Sequence, residues 1–182
     1  MRERKTTRRI AGAVFMTAVT VMALAAAGRL HAAPATTHTP DVRAVLRIDG
    51  LNGNNPTPIT GFSLGATNTT STGGAGGGAG KVVFSDLAVT KLLDGVSVPL
   101  LQAAATGQVL NSVVIDVFDG AANIPFATYT FQGVSVVSTI FGESDATVTE
   151  QDAFDFRTIT SNVTINGQTF HSCFDVKALS SC

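Results

Sequence analysis

A glycine run that ends in lysine, Gly73-Gly74-Ala75-Gly76-Gly77-Gly78-Ala79-Gly80-Lys81, has the residue types that cradle a phosphate, and it is the first place to look for chemistry. A phosphate loop needs G-x-x-x-x-G-K-[ST], because the glycines let backbone N–H groups wrap the anion and the hydroxyl holds Mg²⁺. Here Ala75 stands at the first glycine and Val82 at the hydroxyl. Gly74, Gly76 and Ala79 satisfy G-x-G-x-x-[GA], as any run this rich in glycine does, but an alternating strand pattern follows where a pyrophosphate site needs a helix N-terminus. A second candidate, Gly61-Phe62-Ser63-Leu64-Gly65, spells the nucleophile elbow G-x-S-x-G. The elbow presents its serine between a strand and a helix, whereas a Thr/Gly-rich loop follows Ser63. His171 could serve such a serine with Asp155 or Asp175; the other histidine beyond the N-terminal segment, His38, lies in a Thr/Pro-rich tail.

Glu143, Asp145, Glu150, Asp152 and Asp155 offer oxygen ligands for Ca²⁺, but the D-x-[DN]-x-[DN]-G order is missing and they read as a solvated acidic rim. His171 and Cys173 share a strand face, yet no further ligands stand at metal spacing. With no Trp and a single Tyr129, a sugar platform is equally unsupported. The expectation is a non-enzymatic chain with no catalytic residues, cofactor or metal.

The elements that would position these residues are strands. Val42, Ala44, Leu46 and Ile48 alternate with Arg43, Arg47 and Asp49, which gives a strand with one buried face. Val83, Leu87 and Val89 predict a shared face in a later strand, as do Phe154 and Phe156. Seven or eight such runs, punctuated by Asn, Gly, Asp and Pro, predict a mainly β chain folded as an antiparallel barrel or sandwich. One short helix is predicted, capped by Ser97, with Pro99 in its first turn and Gly107 at its end; at that length it must lie against the sheet. Asn166-Gly167 between two β-type runs predicts a type I′ hairpin, with Phe170, Phe174 and Val176 on one face.

The first 35 residues have the layout of a signal peptide: Arg2, Arg4, Lys5, Arg8 and Arg9, then an apolar stretch, then small residues. Cleavage after Ala32 or after Ala35 is compatible with the sequence, and the alternative is an uncleaved membrane anchor. Residues 36–182 then form one domain of ordinary size. Of 12 Lys+Arg and 13 Asp+Glu, six bases and one acid fall in the leader, so the domain carries six bases, twelve acids and a net charge of −6. Such a surface repels nucleic acid and anionic membrane. Cys173 and Cys182, an even pair in an exported chain, read as a disulfide, with two free thiols as the alternative.

The glycine loop, then GKVVFSDLAVTK, then LLDGVSVPLLQAAATG (Leu92 to Gly107) resembles the centre of the haemolysin-coregulated protein (Hcp) family, the tube proteins of type VI secretion. AVLRIDG (Ala44 to Gly50) and ITGFSLGAT (Ile59 to Thr67) upstream, and FATYTFQGVSVVSTIFG (Phe126 to Gly142) and TVTEQDAFDFRTI (Thr147 to Ile159) downstream, follow in the family's order. The resemblance implies a β-barrel with one helix packed outside it and a homo-oligomer, a ring of six that stacks into a tube and can hold effector proteins. Family tube subunits carry no signal peptide, and Ser161 to Cys182 runs past their usual last strand as an extra hairpin. Two functional readings follow: a secreted or periplasmic ring-forming protein, or a monomeric or dimeric extracellular binding module that uses the Thr67–Gly80 loop. In both, Gly73, Gly74, Gly76, Gly77, Gly78, Gly80 and Lys81 are the candidate assembly or partner residues.

Overall fold

The computed structural model describes residues 41–51, 55–69 and 81–182. The leader and most of the glycine loop lie outside them. Strand periodicity dominates what remains: β1 (Val42–Ile48), β2 (Thr57–Ile59), β3 (Gly61–Ser63), β4 (Ala66–Thr69), β5 (Lys81–Phe84) and β6 (Leu87–Leu92) precede helix α1 (Ser97–Thr106). After it come β7 (Val109–Asp119), β8 (Ala127–Ser144), β9 (Thr147–Asp155), β10 (Thr158–Ile165), β11 (Gln168–Asp175) and the two-residue β12 (Ser180–Ser181).

All pairings are antiparallel, and β8 is the strand on which the sheet turns. Its first half lies between β7 and β10, and its second half pairs with β9. Gly133, at φ 60°, and a register shift between Val136 and Ser138 bend it between the two halves. One arm runs β12-β11-β10-β8-β7-β1-β2, and the other runs from β8 through β9 and β6 to β3. The expected closed barrel is not present as a ring of ladders. Between the arms the chain passes from β2 to β3 through Thr60, whose N–H donates to the Thr90 carbonyl at 2.8 Å.

The core lies on the inner face of this bent sheet. Leu46, Ile48, Leu87, Val113, Ile115, Phe131, Val134 and Phe154 are completely or almost completely buried, together with Leu100 and Ala103 of α1. Each such large apolar side chain contributes about 1.5–3 kcal/mol by leaving water. The predicted shared face of Val83, Leu87 and Val89 is corrected: Ser85 and Asp86 divide the run into two strands, and Val83 is exposed while Leu87 and Val89 are buried.

Helix α1 ends as predicted, on Gly107 in the left-handed region at φ 68° with its N–H on the Ala103 carbonyl. Its start differs from prediction. Ser97 is the first helical residue and not a cap, and its hydroxyl turns inward; the Val96 N–H is instead received by Asp94 Oδ1 at 2.9 Å. The β10–β11 hairpin turns on Asn166 and Gly167, both at positive φ as a type I′ turn requires. Phe174 and Val176 of that hairpin pack against the core edge, whereas Phe170 near its tip is exposed.

Candidate assembly surface

Of the predicted loop residues, only Lys81 falls among those described; Gly73, Gly74, Gly76, Gly77, Gly78 and Gly80 lie outside them. Lys81 opens β5 and stands opposite Thr69 of β4. The β4–β5 ribbon forms a two-stranded sheet of its own, fixed at its base by Phe84, whose ring lies 5.3 Å from that of Phe174 and 6.2 Å from that of Phe156. Cys173 and Cys182 are joined by a disulfide, which ties the last residue of the chain to β11.

The weighed catalytic groups do not converge. Ser63 ends β3 and leads to β4, not to a helix. His171 Nδ1 lies 2.8 Å from Asn162 Oδ1, across the hairpin. Asp175 is taken up by Arg157 and by the N–H groups of Lys177 and Ala178, which, led by the Ala178 N–H, hold its carboxyl below the usual range.

The acidic rim is corrected in two places. Glu143, Asp145 and Asp155 are exposed, but Glu150 and Asp152 are buried, because they alternate onto the inner face of β9 with Phe154. Glu150 stands directly opposite Lys91 of β6, a fully buried lysine that shares its face with Leu87 and Val89. Lys91 Nζ donates to Glu150 Oε2 at 2.6 Å, to Asp94 Oδ1 at 2.8 Å and to Ser97 Oγ at 2.9 Å. The Ser97 hydroxyl also donates to Glu150 Oε2, and Thr139 Oγ1 of β8 donates to Asp152 Oδ1 at 2.9 Å. Burial works against the Lys91 ammonium, but its contacts with Asp94 and Glu150 outweigh that and raise its pKa. Burial likewise opposes the Asp94 carboxylate, yet the Lys91 and Val96 hydrogen bonds leave it below the ordinary range. For Asp152 burial prevails, with the neighbouring Glu150 adding to it, and its carboxyl is pushed up to about 7. Alternation with Leu87 and Val89 could have flagged Lys91 in the sequence; its partner could not be found without the register.

The opposite face of the same three strands is different in kind. Its outward positions are Ala88, Thr90 and Leu92 on β6, Thr149, Gln151 and Ala153 on β9, and Ser138, Ile140 and Gly142 on β8, none of them charged; the same face of β9 ends on the exposed Asp155, whose Oδ2 lies 3.4 Å from Lys177 Nζ. Ile140 and Leu92 are about half exposed. At the neighbouring edge Pro58, Ile59, Thr60, Leu92 and Asp94 line a shallow notch of about 180 Å³. Among the described residues no group of His, Cys, Asp and Glu side chains is arranged to hold a metal ion.

A bent antiparallel sheet with one helix against β8 and an outer face of few charges defines a mainly β scaffold. A family model described as type VI secretion system effector, Hcp, matches residues 48–163, and the chain belongs to that family. Its members are secreted structural proteins and not enzymes. The fold is similar to Hcp1 from Salmonella typhimurium, with a TM-score of 0.66, 21% identity, and coverage of 78% of this chain and 99% of that one. It is also similar to a type six secretion system protein (TM-score 0.67, 24% identity, 77% and 99% covered). A type VI secretion effector from Yersinia pestis gives a TM-score of 0.60 at 18% identity, with 73% and 99% covered. Among curated proteins, none matches the chain by sequence.

Proposed function

We propose that this chain is a non-enzymatic, ring-forming structural protein of the Hcp type, exported by a cleaved leader near residue 32 or 35, whose rings stack or hold effector cargo. The observation that carries this reading is the sparsely charged face of β6, β9 and β8. On a domain of net charge −6, two copies that meet through any ordinary surface bring carboxylates together, whereas this face carries only Asp155, at its β9 end and beside Lys177. Continuity of β2 and β3 through Thr60 would let the two sheet arms close into a barrel wall, which is the rigid block a ring needs. Size-exclusion chromatography with light scattering on residues 36–182 is expected to give a mass near six subunits. A monomer across the working concentration range would overturn the reading, and N-terminal sequencing of the exported protein tests the leader.

A second reading rests on the β4–β5 ribbon, which forms a sheet of its own and between whose strands residues 70–80 fall in the sequence. A monomeric or dimeric binding module would present that loop to a partner. Deleting Gly73–Gly80 separates the two: a native mass of one or two subunits before and after the deletion, with partner capture lost, favours the module, and loss of a six-subunit mass assigns the loop to assembly.

A further inference from the structure

We propose that Glu150 and Asp152 hold one proton between their facing carboxyl groups, and that this proton fastens α1 to the β6–β9 ladder as a pH-sensitive latch. Glu150 is fully buried and Asp152 nearly so, and each has one carboxyl oxygen committed: Glu150 Oε2 to Lys91 and Ser97, Asp152 Oδ1 to Thr139. The remaining two, Glu150 Oε1 and Asp152 Oδ2, are buried without a partner among the groups around them. An orphaned buried carboxylate oxygen is costly, and two on the same strand face are costlier, since like charges disfavour each other's ionised form. A single proton removes both costs by making one oxygen a donor to the other.

The surrounding charges agree. Lys91 from β6 is the only cation among the groups named, and Asp94 in the loop before α1 already takes part of its charge. Ser97 from α1 and Thr139 from β8 are neutral donors. With Asp152 ionised the cluster would hold three carboxylates against one ammonium; with the proton retained it holds two, one of them part-exposed. The rise of the Asp152 carboxyl to about 7, caused by burial with Glu150 beside it adding to it, points the same way. Because Ser97 and Lys91 both grip Glu150, the proton that steadies Glu150 also steadies the first turn of α1.

The sign follows from linkage. Unfolded, Asp152 releases its proton near the ordinary aspartate value of about 3.9; folded, it keeps it to about 7. Between those values the folded chain binds the extra proton, so its stability is full below about pH 4 and falls as pH rises to about 7. The unfolding equilibrium constant of wild type is expected to rise by up to about tenfold per pH unit in that window, and Asp152→Asn is expected to lose most of that slope. Infrared difference spectra of wild type between about pH 6 and pH 8 should show a protonated carboxyl C=O band that Asp152→Asn lacks, since ordinary carboxyls are already ionised at pH 6. This spectrum needs only folded wild type, so failure of the variant to fold does not spare the proposal. Absence of the band, or identical pH slopes in the two proteins, overturns the shared proton. Amide exchange in α1, corrected for base catalysis, should quicken above about pH 7; unchanged protection overturns the latch.

Discussion

At Lys91 a full charge is held in a core that otherwise excludes it, and the arrangement makes the residue intolerant of simple truncation. Removing the ammonium leaves Glu150 buried without a counter-charge, so Lys91→Met is expected to cost about 3–5 kcal/mol in a urea titration. Replacing both partners is gentler, because an apolar pair of similar volume has no charges to desolvate; Lys91→Met combined with Glu150→Met should recover much of the loss. Asp94 acts on the opposite limb of the pH profile from Asp152. Its folded pKa is depressed, so its contribution is present above the ordinary carboxylate value and is lost as pH falls through the folded one. Asp94→Asn is therefore expected to flatten the acid limb of a thermal-melt series below about pH 4. The limb should not vanish, because Asp175 is depressed as well. A melting temperature unchanged by Asp94→Asn at neutral pH, where the carboxylate is ionised, would show that the Lys91–Asp94 pair contributes nothing to stability.

At the scale of elements, the disulfide compensates for a strand too short to hold itself. β12 pairs only Ser180 and Ser181 with Asp175 and Phe174, and the Cys182 N–H reaches the Cys173 carbonyl at 3.3 Å. Reduction, or Cys173→Ser with Cys182→Ser, is expected to lower stability by about 2–3 kcal/mol in the loop-closure model and to release the tail, seen as faster exchange of the β11 amides. This hairpin was legible in the sequence because Asn166-Gly167 leaves the backbone few choices and the two cysteines are the only ones present. The helix was legible for a similar reason, with Gly107 supplying the left-handed stop. What escaped were facts that depend on register. Glu150 and Asp152 looked like an acidic rim because charge suggests solvent, and only the pairing of β6 with β9, 59 residues apart at Lys91 and Glu150, turns them inward. β8 runs 18 residues because Gly133 and the shift after Val136 bend the strand without ending it. The break at Ser85–Asp86 was hidden by the continuous hydrophobic alternation on either side of it.

For the molecule as a whole, the question is which surface lets copies of an acidic domain approach one another. The face of β6, β9 and β8 answers it by composition: small, hydroxyl, amide and apolar side chains with the single carboxylate of Asp155 at one end, on strands whose other side buries Leu87, Val89 and Phe154. Ile140 is 59% exposed, so a charge placed there meets water in the free subunit and costs its fold little. In a contact between copies the same charge loses that water and faces a sparsely charged partner with nothing to pair it, a penalty of several kcal/mol at each interface of a ring. Ile140→Asp is accordingly expected to leave the thermal melt of the subunit within about 0.5 kcal/mol of wild type while shifting its mass by light scattering to the monomer. Added salt discriminates further. A ring held by an apolar, sparsely charged face should persist or strengthen as salt screens the −6 charge of neighbouring domains, whereas one held by ion pairs at the rim should weaken. Retention of the full oligomer by Ile140→Asp, or dissociation of wild type on raising salt alone, would move the interface to another surface, the β4–β5 ribbon and its loop being the next to test.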